Sequence, residues 1–226
     1  MDNDYLKKNC AKEALRYVED NMIIGLGGGS TISYLINYIK ESKLNIKVVT
    51  PSSKTRILCI NDGLEVLHTS SVDRISVAFD GCDEVDESLN ALKSGGGIHT
   101  KEKLIASMAD DYILLVDESK FFKKLKFNHP VVLEILEDAL KYVEKKVIEL
   151  GGTTSVRSSS IKDGFTITEN GNILMDVNFS NVSNIESLEK TLKNICGVIE
   201  TSIFTNNIVT KVIITNKYES KVISEK

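Results

Sequence analysis

The chain reads as an α/β protein: a Rossmann-like, mostly parallel sheet with helices on both faces, plus a smaller α+β unit of ferredoxin-like order. Three observations predict this. Short apolar runs alternate with amphipathic stretches up to about Phe127, and that alternation demands parallel strands joined by helical crossovers. A glycine-rich turn, Gly25-Leu26-Gly27-Gly28-Gly29-Ser30-Thr31, falls at the first strand–helix junction, where open α/β sheets bind ligands. Beyond Phe127 the pattern changes to a β-α-β-β-α-β order.

Each element has its own signal. Leu6, Cys10, Ala14, Leu15 and Val18 recur at helical spacing, which predicts an amphipathic first helix. Met22-Ile23-Ile24 is a short strand, and Ile32, Leu35, Ile36 and Ile39 mark the next helix. Ile46 to Val49 is a strand ending at Thr50-Pro51, a helix follows from Ser53 to Ile60, and Leu64 to Leu67 is a further strand. Ile75 to Phe79 reads as a buried strand, Lys101 to Ala109 as a helix and Tyr112 to Val116 as a strand. In the second unit Pro130 to Ile135 is a strand, and Leu136 to Leu150 a helix closed by Gly151-Gly152. Two turn signals, Lys162-Asp163-Gly164 and Asn170-Gly171, flank strands at Phe165 to Thr168 and Ile173 to Val177. A helix from Ile185 to Ile195 is stopped by Gly197, before strands at Val198 to Phe204 and Ile208 to Thr215. The last strand either completes the small unit or returns to the main sheet. The expected division is a Rossmann-like catalytic domain of residues 1–127 with 206–226, and a small domain of residues 128–205.

Composition narrows the function. With 226 residues the chain can bury a substantial core. A net charge of -4 argues against a nucleic-acid partner, since such domains carry a basic excess. No apolar run reaches the roughly 20 residues of a membrane helix, and the polar, acidic N-terminus is unlike a signal or transit peptide. Cys10, Cys59, Cys82 and Cys196 are scattered, which fits a reduced, cytoplasmic setting. His68, His99 and His129 are also far apart, so the pattern of a zinc site is absent.

The chemistry concentrates between Asp80 and Glu102. Asp80-Gly81-Cys82-Asp83-Glu84 follows the buried strand, then come Lys93, Ser94-Gly95-Gly96-Gly97 and Thr100-Lys101-Glu102. Asp80 and Asp83 are expected at the carboxyl end of the strand. The glycine run lets backbone approach a polar ligand closely. Glu102, behind that loop and facing Lys93 and the aspartates, is placed as a general base, although an isolated glutamate in a first helical turn would answer only to the helix dipole. Asp86 and Glu87 read as a solvated turn, and the spacing of the acidic cluster does not match an EF-hand. Lys120 to Lys126 reads as a solvated basic face with only Lys120 near the site. Cys59 and Cys82 read as packing residues and His99 as a bystander.

At the first glycine turn, backbone N–H groups, the helix dipole and the Ser30 and Thr31 hydroxyls make an anion site. A plain tight turn would use the same glycines. The dinucleotide pattern wants a glycine where Ser30 stands and an acid after the next strand; the Walker pattern wants Gly-Lys before Ser/Thr. Neither is present.

Taken together, these segments resemble the type A ribose-5-phosphate isomerases. The resemblance rests on Leu6-Lys7-Lys8, Gly27-Gly28-Gly29-Ser30-Thr31, Asp80-Gly81-Cys82-Asp83-Glu84, Lys93 through Glu102-Lys103 and Asp117-Glu118-Ser119-Lys120. Leu150-Gly151-Gly152, Asn170-Gly171-Asn172 and Gly197-Val198 extend it. It implies an aldose–ketose isomerase of the non-oxidative pentose phosphate pathway that uses neither metal nor organic cofactor. Glu102 would shuttle a proton between C1 and C2, Lys93 would stabilise the enediolate, and Asp80 and Asp83 would handle hydroxyl protons and ring opening. Gly28, Gly29, Ser30 and Thr31 would hold phosphate and nearby oxygens, with Lys7 and Lys120 adding charge. Gly81, Cys82, Ser94, Gly95 and Gly96 would line the substrate. The resemblance also implies a homodimer or homotetramer, with the small domain as the contact. Two residues depart from the family pattern: Gly28 stands where a threonine is common, and Ser94 replaces the first glycine after the lysine. The nearest competing readings are an amino-sugar phosphate deaminase and a non-catalytic sugar-phosphate sensor; the Lys93-to-Glu102 spacing disfavours the first, and the lack of room for a DNA-binding segment before Ile23 disfavours the second.

A lysine in the electrophile's role makes a metal unnecessary, so activity on ribose 5-phosphate should survive dialysis against EDTA. Loss on dialysis, with recovery on adding a divalent ion, would instead make Asp80 and Asp83 metal ligands.

Overall fold

The structure, a computed structural model, describes residues 3–159, 161 and 163–224. Helix α1 (Asn3–Ala14) turns Cys10, Ala11 and Ala14 into the core. Strand β1 (Ile23–Leu26) leads into α2 (Ser30–Ser42), whose buried stripe is Ile32, Leu35, Ile36 and Ile39. Then follow β2 (Lys47–Val49), α3 (Ser53–Asn61), β3 (Glu65–Val66) and β4 (Ile75–Asp80). Two short strands, β5 (Glu84–Asp86) and β6 (Ala91–Leu92), precede α4 (His99–Met108), β7 (Ala109–Asp117) and β8 (Phe121–Phe122).

The second unit contains β9 (Val131–Ile135), α5 (Leu140–Glu149), β10 (Gly152–Val156), β11 (Ile173–Phe179), α6 (Ile185–Lys193) and β12 (Val198–Thr201). Strands β13 (Ile203–Phe204), β14 (Lys211–Thr215) and β15 (Ser220–Ser224) close the chain.

The main sheet has the order β15-β14-β7-β4-β1-β2-β3 and is parallel except for the β14–β15 pair. Its central strands are buried on both faces, with side chains alternating between two cores. Ile113 and Leu115 of β7 enter one, while Tyr112, Leu114 and Val116 enter the other. Burying an aliphatic side chain contributes about 1.5–3 kcal/mol, so β4 and β7 stabilise the molecule through both cores. The chain winds outward from β1 to β3 on one side and continues from β4 on the other. The switch therefore lies between β1 and β4, and a crevice opens at their carboxyl ends.

The second sheet has the antiparallel order β10-β11-β9-β12, the ferredoxin-like arrangement that the sequence predicts. Its core holds Val143 and Val147 of α5 and Leu192 of α6. A third small sheet, β13-β6-β5-β8, stands between the two larger ones in chain order.

Three elements differ from expectation. The second strand of the small unit is Gly152–Val156, while Phe165 and Ile167 make only single bridges, to Ser158 and Ile173. Gly151, with φ +84°, reverses the chain at once, and Gly152 packs so closely that a Cβ would lie 2.8 Å from Val147. The glycine pair thus begins a strand as well as ending a helix. Lys162, in the first turn signal, lies outside the described residues. The run from Val198 to Phe204 breaks at Ser202, whose hydroxyl accepts the Val132 N–H, so that β13 leaves the small sheet and pairs with β6. The last predicted strand returns to the main sheet beside β7, and β15, polar and unpredicted, forms its edge.

Candidate active site

The crevice between β1 and β4 is built around Asp80, the last residue of β4 and only 3 % exposed. Backbone crowds it: a Cβ on Gly27 would fall 2.0 Å from the Asp80 carboxyl, so this position requires glycine. Asp80 Oδ1 accepts the Gly81 N–H at 2.8 Å and the Gly28 N–H at 3.4 Å. Its Oδ2 accepts the Tyr112 hydroxyl at 3.4 Å and lies 3.0 Å from Lys93 Nζ. Lys93 follows β6, where its N–H donates to Ser202 O, and its ammonium also donates to Gly81 O. On its other side Lys93 Nζ is 3.4 Å from Glu102 Oε1, in the first turn of α4.

Lys93 and Glu102 are 5 % and 7 % exposed. Two carboxylates thus share one ammonium away from water. Burial and the neighbouring Asp80 push the Glu102 carboxyl up to about 8, with Lys93 pulling the other way. Burial disfavours the charge on Lys93, but Asp80 and Glu102 outweigh it and hold its pKa above the usual lysine value. Lys93 is therefore a fixed cation, while Glu102 is a carboxyl that changes charge near neutral pH. Cys82 is pushed up to about 12 by burial, in keeping with a packing role.

Asp83 organises the glycine loop. Its Oδ2 accepts the Ser94 N–H at 2.7 Å and the Gly95 N–H at 3.0 Å. Gly96 and Gly97 both have φ +68°. Ser94 needs no such conformation; its buried hydroxyl donates to Pro130 O, which accommodates the departure from glycine there. At Gly28 a Cβ would meet Ser52 at an ordinary 3.8 Å, so the backbone does not demand glycine at that position. Lys120 reaches back to donate to Cys82 O at 2.8 Å.

The predicted residues line two adjoining cavities. The larger, about 550 Å³, holds Gly28, Gly29, Asp80, Gly81, Cys82, Asp83, Lys93, Gly95, Gly96, Glu102 and Lys120. The smaller, about 280 Å³, adds Lys7, Ser30 and Thr31 and shares Gly28, Gly29, Gly81 and Lys120 with the first. Ser94 lines neither. Sequence reasoning missed Ser52, Ser53, Lys54, Ile98 and Glu169, which also line the larger cavity, and the Tyr112 hydroxyl. Ser52 carried a signal: it caps α3 by accepting the Thr55 N–H, while Thr55 donates to Gly27 O at 2.7 Å. Glu169 carried none beyond its place in the Asn170-Gly171 turn.

Other acidic residues are structural. Glu84 accepts the N–H groups of Lys126, Phe127 and His129. Asp86, expected in a solvated turn, is buried and accepts the Ser88 and Asn90 N–H groups to close the β5–β6 turn; Glu87 alone is exposed. His99 is buried against Glu200 O, and burial lowers its pKa to about 4.

Such a site can move a proton on a small polar anion: a carboxyl of raised pKa and a fixed ammonium face one cavity, and donors for an anion lie next door. A chain from Methanocaldococcus jannaschii named ribose-5-phosphate isomerase A is 39 % identical over 222 residues, covering 96 % of each chain. One from Thermococcus kodakarensis is 38 % identical over 90 % of this chain and 91 % of its own. The M. jannaschii isomerase structure superposes with a TM-score of 0.92 at 38 % identity, over 99 % of this chain and 100 % of that one. A D-ribose-5-phosphate isomerase in complex with phospho-erythronic acid superposes with a TM-score of 0.94 at 35 % identity, over 100 % of both chains. The family model for ribose 5-phosphate isomerase A (phosphoriboisomerase A) matches residues 47–219, and the chain belongs to that family.

Proposed function

We propose that this chain interconverts D-ribose 5-phosphate and D-ribulose 5-phosphate through an enediolate, in the non-oxidative pentose phosphate pathway. The observation that carries the reading is Lys93 held between Asp80 and Glu102 in the larger cavity. Glu102 as carboxylate removes the proton from C2 of the open-chain aldose and returns it to C1. Negative charge develops on the substrate oxygens, and the Lys93 ammonium stabilises it without giving up its own proton. Such preorganised charge is commonly the largest catalytic contribution. Asp80 and Asp83 serve hydroxyl protons and ring opening. The two N–H groups that Asp83 accepts both use Oδ2, which favours its Oδ1 for this exchange. Gly28, Gly29, Ser30 and Thr31 hold the phosphate, with charge from Lys7 and Lys120, and the adjoining cavities match a ligand with its reacting carbons in one and its phosphate in the other.

We assign catalysis to residues 1–127 with 206–226, and homo-oligomer contact to residues 128–205. Large exposed apolar side chains gather in the latter: Leu136, Tyr142, Ile148, Leu150, Phe165 and Ile167. The four free cysteines support a cytoplasmic setting, and among the described residues no helix is long and apolar enough to cross a membrane.

Light scattering of the purified protein should return a dimer or tetramer mass; a monomer would remove the contact assignment. Glu102→Gln, nearly isosteric but unable to accept a proton at neutral pH, should lower kcat by at least about 10²-fold with little change in KM. In the wild type kcat/KM should decline as pH falls below about 8, because protonating Glu102 removes the base. Near-normal turnover in the variant would move the role to Asp83.

Charge-assisted hydrogen bonds contribute roughly 1.5–3 kcal/mol each, so unphosphorylated ribose should be poorer by at least about 10³-fold in kcat/KM. Replacing both Ser30 and Thr31 with alanine should narrow that gap by harming ribose 5-phosphate more than ribose. An equal loss on both substrates would put the phosphate site elsewhere.

A further inference from the structure

Glu134, in β9, is a second buried carboxylate with an unusual set of partners. It is 1 % exposed, and among the described residues no lysine or arginine forms an ion pair with it. Four side-chain donors converge on it instead. The Thr100 hydroxyl donates to Oε2, while the Thr168 hydroxyl at 2.8 Å and the amides of Asn170 at 3.0 Å and Asn172 at 2.8 Å donate to Oε1. Burial penalises the charge, but these four bonds outweigh it and keep the carboxyl below its usual range. An ionised group without a cation is costly to keep inside a sheet, so what its two oxygens hold together becomes the question.

One oxygen holds the start of α4. Thr100 lies in its first turn, two residues before Glu102. The other holds the turn from Thr168 to Asn172, in which Thr168 and Asn172 are also joined through their backbones. That turn carries Glu169 to the wall of the larger cavity. There Glu169 accepts the Ser53 hydroxyl at 2.5 Å and the Lys101 ammonium at 2.7 Å. The same carboxylate therefore ties the helix bearing Glu102 to the segment that completes the cleft.

We propose that Glu134 is a positioning residue for the isomerisation, fixing the first turn of α4, and with it the Glu102 carboxylate, against the turn that walls the cleft. This rests on reading Glu102 as the base. Only a carboxylate offers acceptors in both directions; a glutamine would turn an N–H₂ group toward one set of donors. A base displaced by a fraction of an ångström loses turnover more than affinity, because the phosphate handle is unaffected.

The arm to α4 can be cut without touching Glu134. Thr100→Val keeps the shape and removes the hydroxyl, whereas Thr100→Ser keeps the hydroxyl. Thr100→Val should lower kcat by about 10-fold with KM for ribose 5-phosphate within about twofold, and Thr100→Ser should restore most of the turnover. Glu134→Ala, which cuts both arms, should lower kcat further; if it fails to fold, the Thr100 pair still decides. Wild-type kcat in Thr100→Val, or equal losses in the valine and serine variants, would overturn the proposal. A Glu102→Gln control separates the two readings: if it is inactive while Thr100→Val is normal, positioning fails and the base stands. If it is active, the base reading itself fails.

Discussion

The Lys93 ammonium, between Asp80 and Glu102, is the interaction on which the rest of this structure depends. Taking three charges out of water costs several kcal/mol per ion unless geometry repays it. The repayment here comes from three separate parts of the chain. Asp80 is the end of the central strand β4, Lys93 follows β6, and Glu102 starts α4. Each must be held independently, since none is adjacent in sequence to another. Removing Lys93 would leave two buried carboxylates facing one another without a cation, so the group depends on the ammonium.

Holding these parts in register explains much of the architecture. The backbone just past β1 comes so close to the Asp80 carboxyl that only glycine fits at position 27. The Lys93 N–H donates to Ser202 O, between β12 and β13, so the lysine is placed partly by the second half of the chain. Helix α4 is tied to the same half by Lys103, which pairs with Glu189 and Glu200. The small sheet and its flanks therefore help to place Lys93 and α4, although neither belongs to them. An oligomer contact on that sheet would sit close to the machinery it steadies.

The division of the site into two cavities has a chemical logic. Lys93 and its two carboxylates lie in the larger one, where burial raises the Glu102 carboxyl to about 8. Ser30, Thr31 and Lys7 lie in the smaller one at the start of α2, where the positive helix end faces the cavity. An anion bound there would be kept apart from Glu102 and Asp80, while Lys7 and Lys120 would offset Asp117, which also lines that cavity. A chain of net charge -4 needs such a local arrangement to hold a phosphate.

The sequence by itself determined the layers and the residues that bear the chemistry. Periodicity is a local property, so Ile32, Leu35, Ile36 and Ile39 announce α2, and the two-sided burial of β4 is legible in an apolar run from Ile75 to Phe79 interrupted only by Ser76. The glycine loops and the acids beside them are equally local, which is why Gly28, Gly29, Asp80, Lys93 and Glu102 stand out in the sequence. What only the tertiary structure decided are relations between distant segments. Asp86 is as acidic as its neighbours but closes a turn, and Ser94 turns away from the cavity to Pro130. Glu134 and Glu169 carry no motif; they matter because folding brings α3, α4 and the 168–172 turn together at one cleft, with Glu134 of β9 bonded to the last two from behind. The strand Gly152–Val156 is hidden for the same reason: its place depends on pairing with β11, from Gly152 with Phe179 to Val156 with Met175, and no local pattern records a partner.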